Sequence, residues 1–254
     1  MTARARESAG GTRSTTAVVQ APPTLTLQRI GGVAAIYLAL SLAAAIPYFL
    51  LVVDYPSADS ATDKVDLILA HRASMYLVYL ITYVVFGLAV GVLTLALRDW
   101  LHPSAPAVLV NLATGAGWLW SVMLVASGLI FTYGMTTIWD LASTDHPGAV
   151  LQWQGIEPVA LALGGAGGEL LGGLWVLLVS LAVLNAEGRP RALGWMGLGT
   201  GIVGLASVAP PLYEATVAFG FLVIIWLGWL GGFLVTADGR RRRPKSKVGL
   251  GAPQ

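Results

Sequence analysis

The sequence predicts an all-α polytopic membrane protein, a bundle of six transmembrane helices with both termini in the cytoplasm. Of the 254 residues, 56% are hydrophobic and 11% are charged, whereas about 25% of the residues in soluble domains are charged. The apolar residues form runs close to the roughly 20 residues that a helix needs to cross the hydrocarbon core. Lys and Arg are concentrated in every second polar segment between these runs.

Residues 1–29 precede the first apolar run and show no apolar periodicity. Their Ala, Thr, Arg and Pro content predicts a disordered, basic cytoplasmic tail. A cleaved secretory signal is disfavoured because the polar segment is too long and the following run lacks a convincing cleavage site. We therefore expect that run to stay as a membrane anchor.

The six predicted spans form one transmembrane domain, residues 30–236. They cover residues 31–53, 73–97, 106–132, 158–184, 192–209 and 214–235. Pro47 lies inside the first span and is expected to kink it. The fifth span is short and closes at Pro210 and Pro211.

Two external segments, 54–72 and 133–157, are longer than a turn between spans requires. The first ends in VDLILAHR, which is expected to extend the second span by an amphipathic turn or two. The second is expected to carry a short helix at the membrane interface. Together they predict a small external cap, where a partner or ligand has access to the protein.

The basic residues predict the orientation. Only Lys64 and Arg72 lie in external segments, and the other 13 of the 15 basic residues lie on the opposite side. The positive-inside rule makes that side cytoplasmic. We therefore expect a multi-pass protein of the bacterial inner (cytoplasmic) membrane.

Residues 237–254 form a polybasic cytoplasmic tail. Its basic side chains are those of Arg240, Arg241, Arg242, Arg243, Lys245 and Lys247. Directly after a span, such a cluster anchors the topology and attracts anionic lipid headgroups, at about 1 kcal/mol per basic residue. The same position argues against nucleic acid as a partner.

The fourth predicted span contains the stretch LALGGAGGELLGGLW, residues 161–175. On a continuous helix, its glycines form two neighbouring stripes, of which one contains Glu169. The stripes are Gly164, Gly168 and Gly172, and Gly165, Glu169 and Gly173. Small residues at this spacing let another helix approach closely, which predicts a helix-packing surface.

Glu169 lies about 12 residues from the outer end of this predicted span, which is roughly 18 Å deep by helical rise. An acid at that depth costs about 2.5–3.5 kcal/mol on insertion scales. We therefore expect Glu169 to face the interior of the bundle.

Two hypotheses account for Glu169. In the first, the protonated side chain bonds to a neighbouring helix, through Ser121, Thr114, Ser180, Thr200 or a backbone carbonyl. In the second, Glu169 is a proton or cation site, with Arg72 or His71 above it. Intramembrane acids are candidate functional residues, although no second ionisable residue is predicted at the same depth.

The sequence gives little indication of a metal site, a cofactor site or an enzyme. The sequence has no Cys, so disulfides and thiolate ligands are excluded. An external metal site from His71, His146, Asp140 and Asp145 is conceivable, but it lacks paired ligands at helical spacing. No metal or cofactor is therefore predicted, and no nucleophile–base pair suggests an enzyme.

The stretch GGELLGGLWVLLVSLAVLNAEGRPRALGWMGLG and the later FGFLVIIWLGW resemble the DUF4386 group of bacterial integral membrane proteins. The resemblance extends over most of residues 30–236. It implies a multi-span membrane protein of undefined activity and supplies no catalytic residues. Its most characteristic positions here are Glu169, Trp175, Arg189, Pro190 and Arg191.

From these observations we expect a non-enzymatic accessory or packing subunit that associates with a membrane protein partner or with copies of itself. The alternative is a small transporter or channel in which Glu169 exchanges a proton or binds a cation.

Overall fold

A computed structural model describes residues 26–164 and 169–241 of the chain, with side chains to residue 237. Within these ranges the protein is helical and has no strand. Four segments are long and apolar enough to cross a membrane, Leu27–Val52, Arg72–Leu101, Ala107–Ala142 and Ala215–Ala237. The predicted class, an all-helical protein with membrane-spanning helices, is confirmed.

Nine α-helices make up most of the described chain. They are α1 (Leu27–Pro47), α2 (Ala61–Ala70), α3 (Arg72–Tyr79), α4 (Phe86–Leu101), α5 (Ala107–Ala142), α6 (His146–Gly164), α7 (Leu170–Leu184), α8 (Arg191–Ala206) and α9 (Ala215–Arg241). Two π-helical segments, Tyr48–Val52 and Leu80–Val85, continue α1 and join α3 to α4. Short 3-10 turns lie at Tyr55–Ser57 and Pro210–Leu212.

The third predicted span, 106–132, is longer in the structure. Helix α5 runs from Ala107 to Ala142 and has 36 residues, or roughly 54 Å at 1.5 Å per residue. Since the hydrocarbon core is about 30 Å thick, α5 extends beyond any single crossing. The short interfacial helix expected within 133–157 is absent, because α5 continues to Ala142 and α6 begins at His146.

The fourth predicted span, 158–184, is not one helix. Helix α6 ends at Gly164 and α7 begins at Leu170, while Glu169 has φ −85° and ψ 56°, outside the helical region. The continuous helix predicted here is wrong, because Glu169 lies outside the helical region. The depth of Glu169 stays a prediction.

Helices α6 and α7 both pack against α5. The Ser127 hydroxyl of α5 donates to the Ala160 carbonyl of α6 at 2.7 Å. Nearer the beginning of α5, the rings of Trp120 and Trp175 lie 5.4 Å apart. The two helices therefore lie in succession along α5, with the interruption between them.

Helix α2 and the adjoining ends of α5 and α6 form the cap. Lys64 of α2 and Glu157 of α6 make an ion pair, with Nζ 2.9 Å from Oε2. The Tyr55 hydroxyl donates to the same carboxylate at 2.7 Å. Beneath them, Ile68 and Trp153 are fully buried. The segments 54–72 and 133–157 thus pack together.

The opposite end of the bundle is held by Arg189. Its guanidinium lies 4.3 Å from the centre of the Trp100 ring. It also donates to the Trp100 carbonyl and to the Ser104 hydroxyl. These contacts join the loop after α4 to the loop between α7 and α8.

The outer surface of the bundle is apolar. Leu51, Val108 and Leu40 are 81%, 69% and 64% exposed. Large apolar side chains exposed around a helical bundle are suited to lipid contact. This surface and the four long apolar helices indicate a membrane protein.

Candidate functional site

Glu169 lies at the interruption between α6 and α7. It is the residue directly before α7, and its side chain does not cap the free N–H groups of that helix. Its backbone N–H donates instead to the hydroxyl oxygen of Ser207, at 3.0 Å. Ser207 is buried just beyond α8, and its hydroxyl donates to the Gly204 carbonyl at 2.7 Å. The end of α8 therefore positions the residue that carries the acid.

The carboxyl group of Glu169 forms no hydrogen bond or ion pair within residues 26–164 and 169–241. The four hydroxyls predicted as its partners all donate to backbone carbonyls. Ser121 donates to Gly87, Thr114 to Val110, Ser180 to Val176 and Thr200 to Met196. The interhelical bond expected of a packing residue does not form with any of them.

Trp120 lies beside this carboxyl group. A Cβ atom placed on Gly172 would lie 3.0 Å from Glu169 Oε2 and 3.0 Å from Trp120 Cζ2. Glu169 Oε2 and Trp120 Cζ2 are therefore separated by no more than twice 3.0 Å. Because Gly172 has no side chain, there is space for the carboxylate and the indole ring to approach each other.

Glu169 lines two cavities, one on each side of Trp120. The first, here called the aromatic cavity, has a volume of about 190 Å³ and is also lined by Phe49, Tyr83, Phe86 and Phe219. The second, the lateral cavity, has a volume of about 260 Å³ and lies between α5, α6 and the start of α7. Both are large enough to hold water.

Two π-helical segments and the non-helical residue Glu169 converge on the aromatic cavity. Phe49 comes from the π-helical segment after α1, and Thr82 and Tyr83 come from the one before α4. Gly164 and Glu169 flank the interruption of the fourth span. π-Helical segments are frequent at functional sites, and non-helical backbone at membrane depth is tolerated where it lines a cavity.

Gly164 allows Tyr83 to approach the interruption. A Cβ atom at Gly164 would lie 2.5 Å from Tyr83 Cε1 and 2.6 Å from Ser127 Oγ. Any larger residue at the end of α6 would therefore displace the tyrosine ring. Tyr83 and Glu169 line the same cavity, although sequence reasoning did not identify Tyr83.

The structure does not bring Arg72 or His71 to Glu169. His71 separates α2 from α3, and Arg72 is exposed at the first position of α3. Neither residue lines the aromatic or the lateral cavity. The predicted grouping of these two residues with Glu169 is therefore not found.

The described glycines of the predicted stripes lie in different environments. Gly172 faces Trp120, whereas a Cβ at Gly173 would lie 2.8 Å from the backbone nitrogen of Leu205 in α8. Gly165 and Gly168 lie outside the described residues. Because Gly164 and Gly172 belong to separate helices, the stripe expected from a continuous helix does not exist.

Most of the predicted lipid anchor also lies outside the described residues, namely Arg242, Arg243, Lys245 and Lys247. Arg240 and Arg241 belong to the last turn of α9.

The histidines do not form a metal site with the neighbouring acids. In the part of the chain that the structure describes, no group of three or more His, Asp or Glu residues is arranged to hold a metal. His146 lies instead beside one carboxylate, with Nε2 2.9 Å from Asp66 Oδ1.

Sequence reasoning found the acid but missed what surrounds it. Thr82, Tyr83 and Phe219 are ordinary residues of apolar helices, and nothing in their spacing indicates that they share a cavity. Ser207 was also missed, although a serine directly after a helix is a common partner for free backbone groups.

No family model, curated protein or solved structure matches the chain. The resemblance to the DUF4386 group stays a prediction. Of its characteristic positions, Trp175 is fully buried between Trp120 and Trp226, and Arg189 holds the two loops together.

Proposed function

We propose that this protein is a small transporter of the cytoplasmic membrane in which the Glu169 carboxyl binds a proton or a cation. One observation carries the proposal: an acid at the interruption of a membrane span lines two cavities and has no partner among the described side chains. Transporters place their ion sites at interrupted helices, where free backbone groups and cavities meet.

The start of α7 adds to the electrostatics of this site. Glu169 directly precedes α7, and the N-terminus of a helix carries partial positive charge. Helix ends of this kind contribute fixed partial charges to the ion sites of transporters.

The accessory-subunit hypothesis required Glu169 to act as an interhelical contact. No hydrogen bond joins the Glu169 carboxyl to any of the four predicted hydroxyls or to a backbone carbonyl within residues 26–164 and 169–241. An acid within a membrane span costs free energy, and without a hydrogen-bonding partner this cost favours a functional role.

We also propose six crossings with both termini in the cytoplasm. Helices α6 and α7 count as one crossing, and α8, with 16 residues, is slightly shorter than the usual minimum of about 17. Contacts between segments support the sidedness, since Lys64 pairs with Glu157 at the cap and Arg189 contacts Trp100 at the opposite end. Reporter fusions at residues 60, 102, 145 and 188 should read outside, inside, outside and inside; any other order contradicts this topology.

The transport proposal is tested in sealed vesicles that contain the purified protein and an imposed proton gradient. A panel of inorganic and organic monovalent cations is added outside, and an internal pH-sensitive dye reports proton movement. We expect at least one cation to drive proton movement in the wild type and none to do so in Glu169→Gln.

Glu187→Gln is the matched control, because it makes the same chemical change in an exposed loop. It should behave as the wild type. Proton movement that survives in Glu169→Gln, or a folded wild-type protein that responds to no cation in the panel, would overturn the proposal.

A further inference from the structure

The aromatic cavity is lined by rings from four different parts of the fold. Phe49 follows α1, Tyr83 precedes α4, Trp120 lies in α5 and Phe219 lies in α9. Phe86 completes the set, with its ring centre 6.1 Å from that of Trp120 in an edge-to-face arrangement. Trp120, Phe86 and Phe219 are almost fully buried, at 5%, 2% and 3% exposure, so tertiary packing fixes these rings in place.

Among the described residues, the cavity offers few side-chain oxygen atoms to an inorganic cation. Its side-chain oxygens belong to Glu169, Tyr83 and Thr82, and the Thr82 hydroxyl already donates to the Val78 carbonyl at 2.7 Å. Hard cations such as Ca²⁺ and Mg²⁺ require about six or more oxygen ligands. The remaining lining is mostly aliphatic and aromatic, which replaces the hydration shell of such an ion poorly.

The same lining suits a cation whose charge is spread over alkyl groups. Quaternary ammonium ions and alkylamines bind to the faces of aromatic rings, with Trp the most favourable. Trp120 and Glu169 both line the aromatic cavity. A cation held there would be within reach of both a carboxylate and an indole ring.

We propose that the aromatic cavity binds a small organic cation, an alkylamine or a quaternary ammonium compound, with Glu169 as its counter-ion and Trp120 as its aromatic contact. This inference rests on the proposed transport function and adds the class of ligand. The volume of about 190 Å³ limits the ligand to a small head group.

Calorimetric titration of the purified protein in detergent tests the inference, with choline as the probe and 3,3-dimethyl-1-butanol as its uncharged isostere. The two have the same shape, so that only the charge distinguishes them. We expect choline to bind and the alcohol to bind at least about tenfold more weakly, because the carboxylate and the rings recognise charge. Equal binding of the two compounds would contradict the inference.

Three variants identify the contacts. Glu169→Gln should weaken choline binding by more than about tenfold, because the buried counter-ion is removed. Trp120→Leu should weaken it by about 2- to 30-fold, the range of one cation–π contact, whereas Trp120→Phe should retain most of the affinity. Trp229→Leu is the matched control, since Trp229 is 43% exposed and does not line the cavity.

Loss of folding is separated from loss of binding by the thermal unfolding temperature of each variant. Phe49→Leu serves as a second test, because Phe49 is half-buried and its replacement disturbs the core less than a change at Trp120. A stable Phe49→Leu and a stable Trp120→Leu that both bind choline as the wild type does would overturn the inference.

The vesicle experiment distinguishes failure of the proposed ligand class from failure of the transport proposal. If inorganic cations drive Glu169-dependent proton movement and choline does not bind, transport stands and the ligand class is wrong. If no cation acts in vesicles and choline does not bind, both are wrong.

Discussion

The backbone N–H of Glu169 donates a hydrogen bond to the hydroxyl oxygen of Ser207, with an N–O distance of 3.0 Å. This bond connects the interruption of the fourth predicted span to the end of α8. Free backbone groups are costly at membrane depth, and Ser207 satisfies one of them. It also sets the position of the acid at the two cavities.

Ser207→Ala is expected to lower the free energy of unfolding by about 1–3 kcal/mol, because it leaves the N–H of Glu169 without an acceptor. Thermal unfolding in detergent measures the effect. Ser143→Ala is the control, since Ser143 is exposed and donates to the Asp140 carbonyl in the preceding turn. Identical unfolding temperatures for Ser207→Ala and the wild type would show that the bond contributes nothing.

Gly173→Ala is expected to destabilise the contact between α7 and α8. The new Cβ would lie 2.8 Å from the backbone nitrogen of Leu205 and 2.9 Å from the carbonyl carbon of Gly204. Backbone atoms cannot rotate away, so the helices must separate, at a cost of about 1–3 kcal/mol.

Gly199→Ala is the matched control for this variant. Gly199 lies in α8, and a Cβ there would meet nothing within 4 Å. The substitution should be neutral, or stabilising by up to about 1 kcal/mol through helix propensity. Chemical denaturation of both variants gives the comparison, and equal stabilities would contradict close packing at Gly173.

Tyr55 is expected to make the cap sensitive to alkaline pH. Burial raises the pKa of Tyr55 above its ordinary value of 10.0, and its hydrogen bond to Glu157 raises the pKa further. The folded cap therefore retains the phenolic proton more strongly than the unfolded chain. This contribution to stability is complete below pH 10 and is lost as the pH rises above it.

Thermal unfolding at about pH 8 and about pH 11 tests the pH dependence. We expect the unfolding temperature of the wild type to fall more steeply over this interval than that of Tyr55→Phe, which has no proton to lose. The same steepness in both proteins would exclude Tyr55 as the responsible group.

Arg189→Lys is expected to loosen the end of the bundle opposite the cap. A lysine keeps the positive charge but cannot stack a planar group on Trp100 while donating to both the Trp100 carbonyl and Ser104. Amide hydrogen exchange in residues 100–106 should accelerate. Arg191→Lys makes the same change at an exposed position and should leave exchange in that loop unchanged; acceleration by both variants would argue against a specific role of Arg189.

The sequence by itself determined the class, a helical membrane protein. Hydrophobic runs and the segregation of charge follow from the order of residue types along the chain, and they depend little on tertiary contacts. It also located the cap segments and the unusual acid. The interruption at Glu169 was not predictable in the same way. Gly, Ala and Leu are all compatible with an apolar span, so a span that breaks has nearly the same hydropathy as one that continues.

Only the tertiary structure decided that the fourth span breaks and what surrounds the acid. Ser207 supplies an acceptor for the N–H of Glu169, and α5 supports the helices on both sides of the interruption. Trp120, Tyr83 and Phe219 reach the same cavity from helices far apart in the chain. Such contacts depend on helix rotation and crossing, which local composition does not encode, and they make Glu169 part of a site.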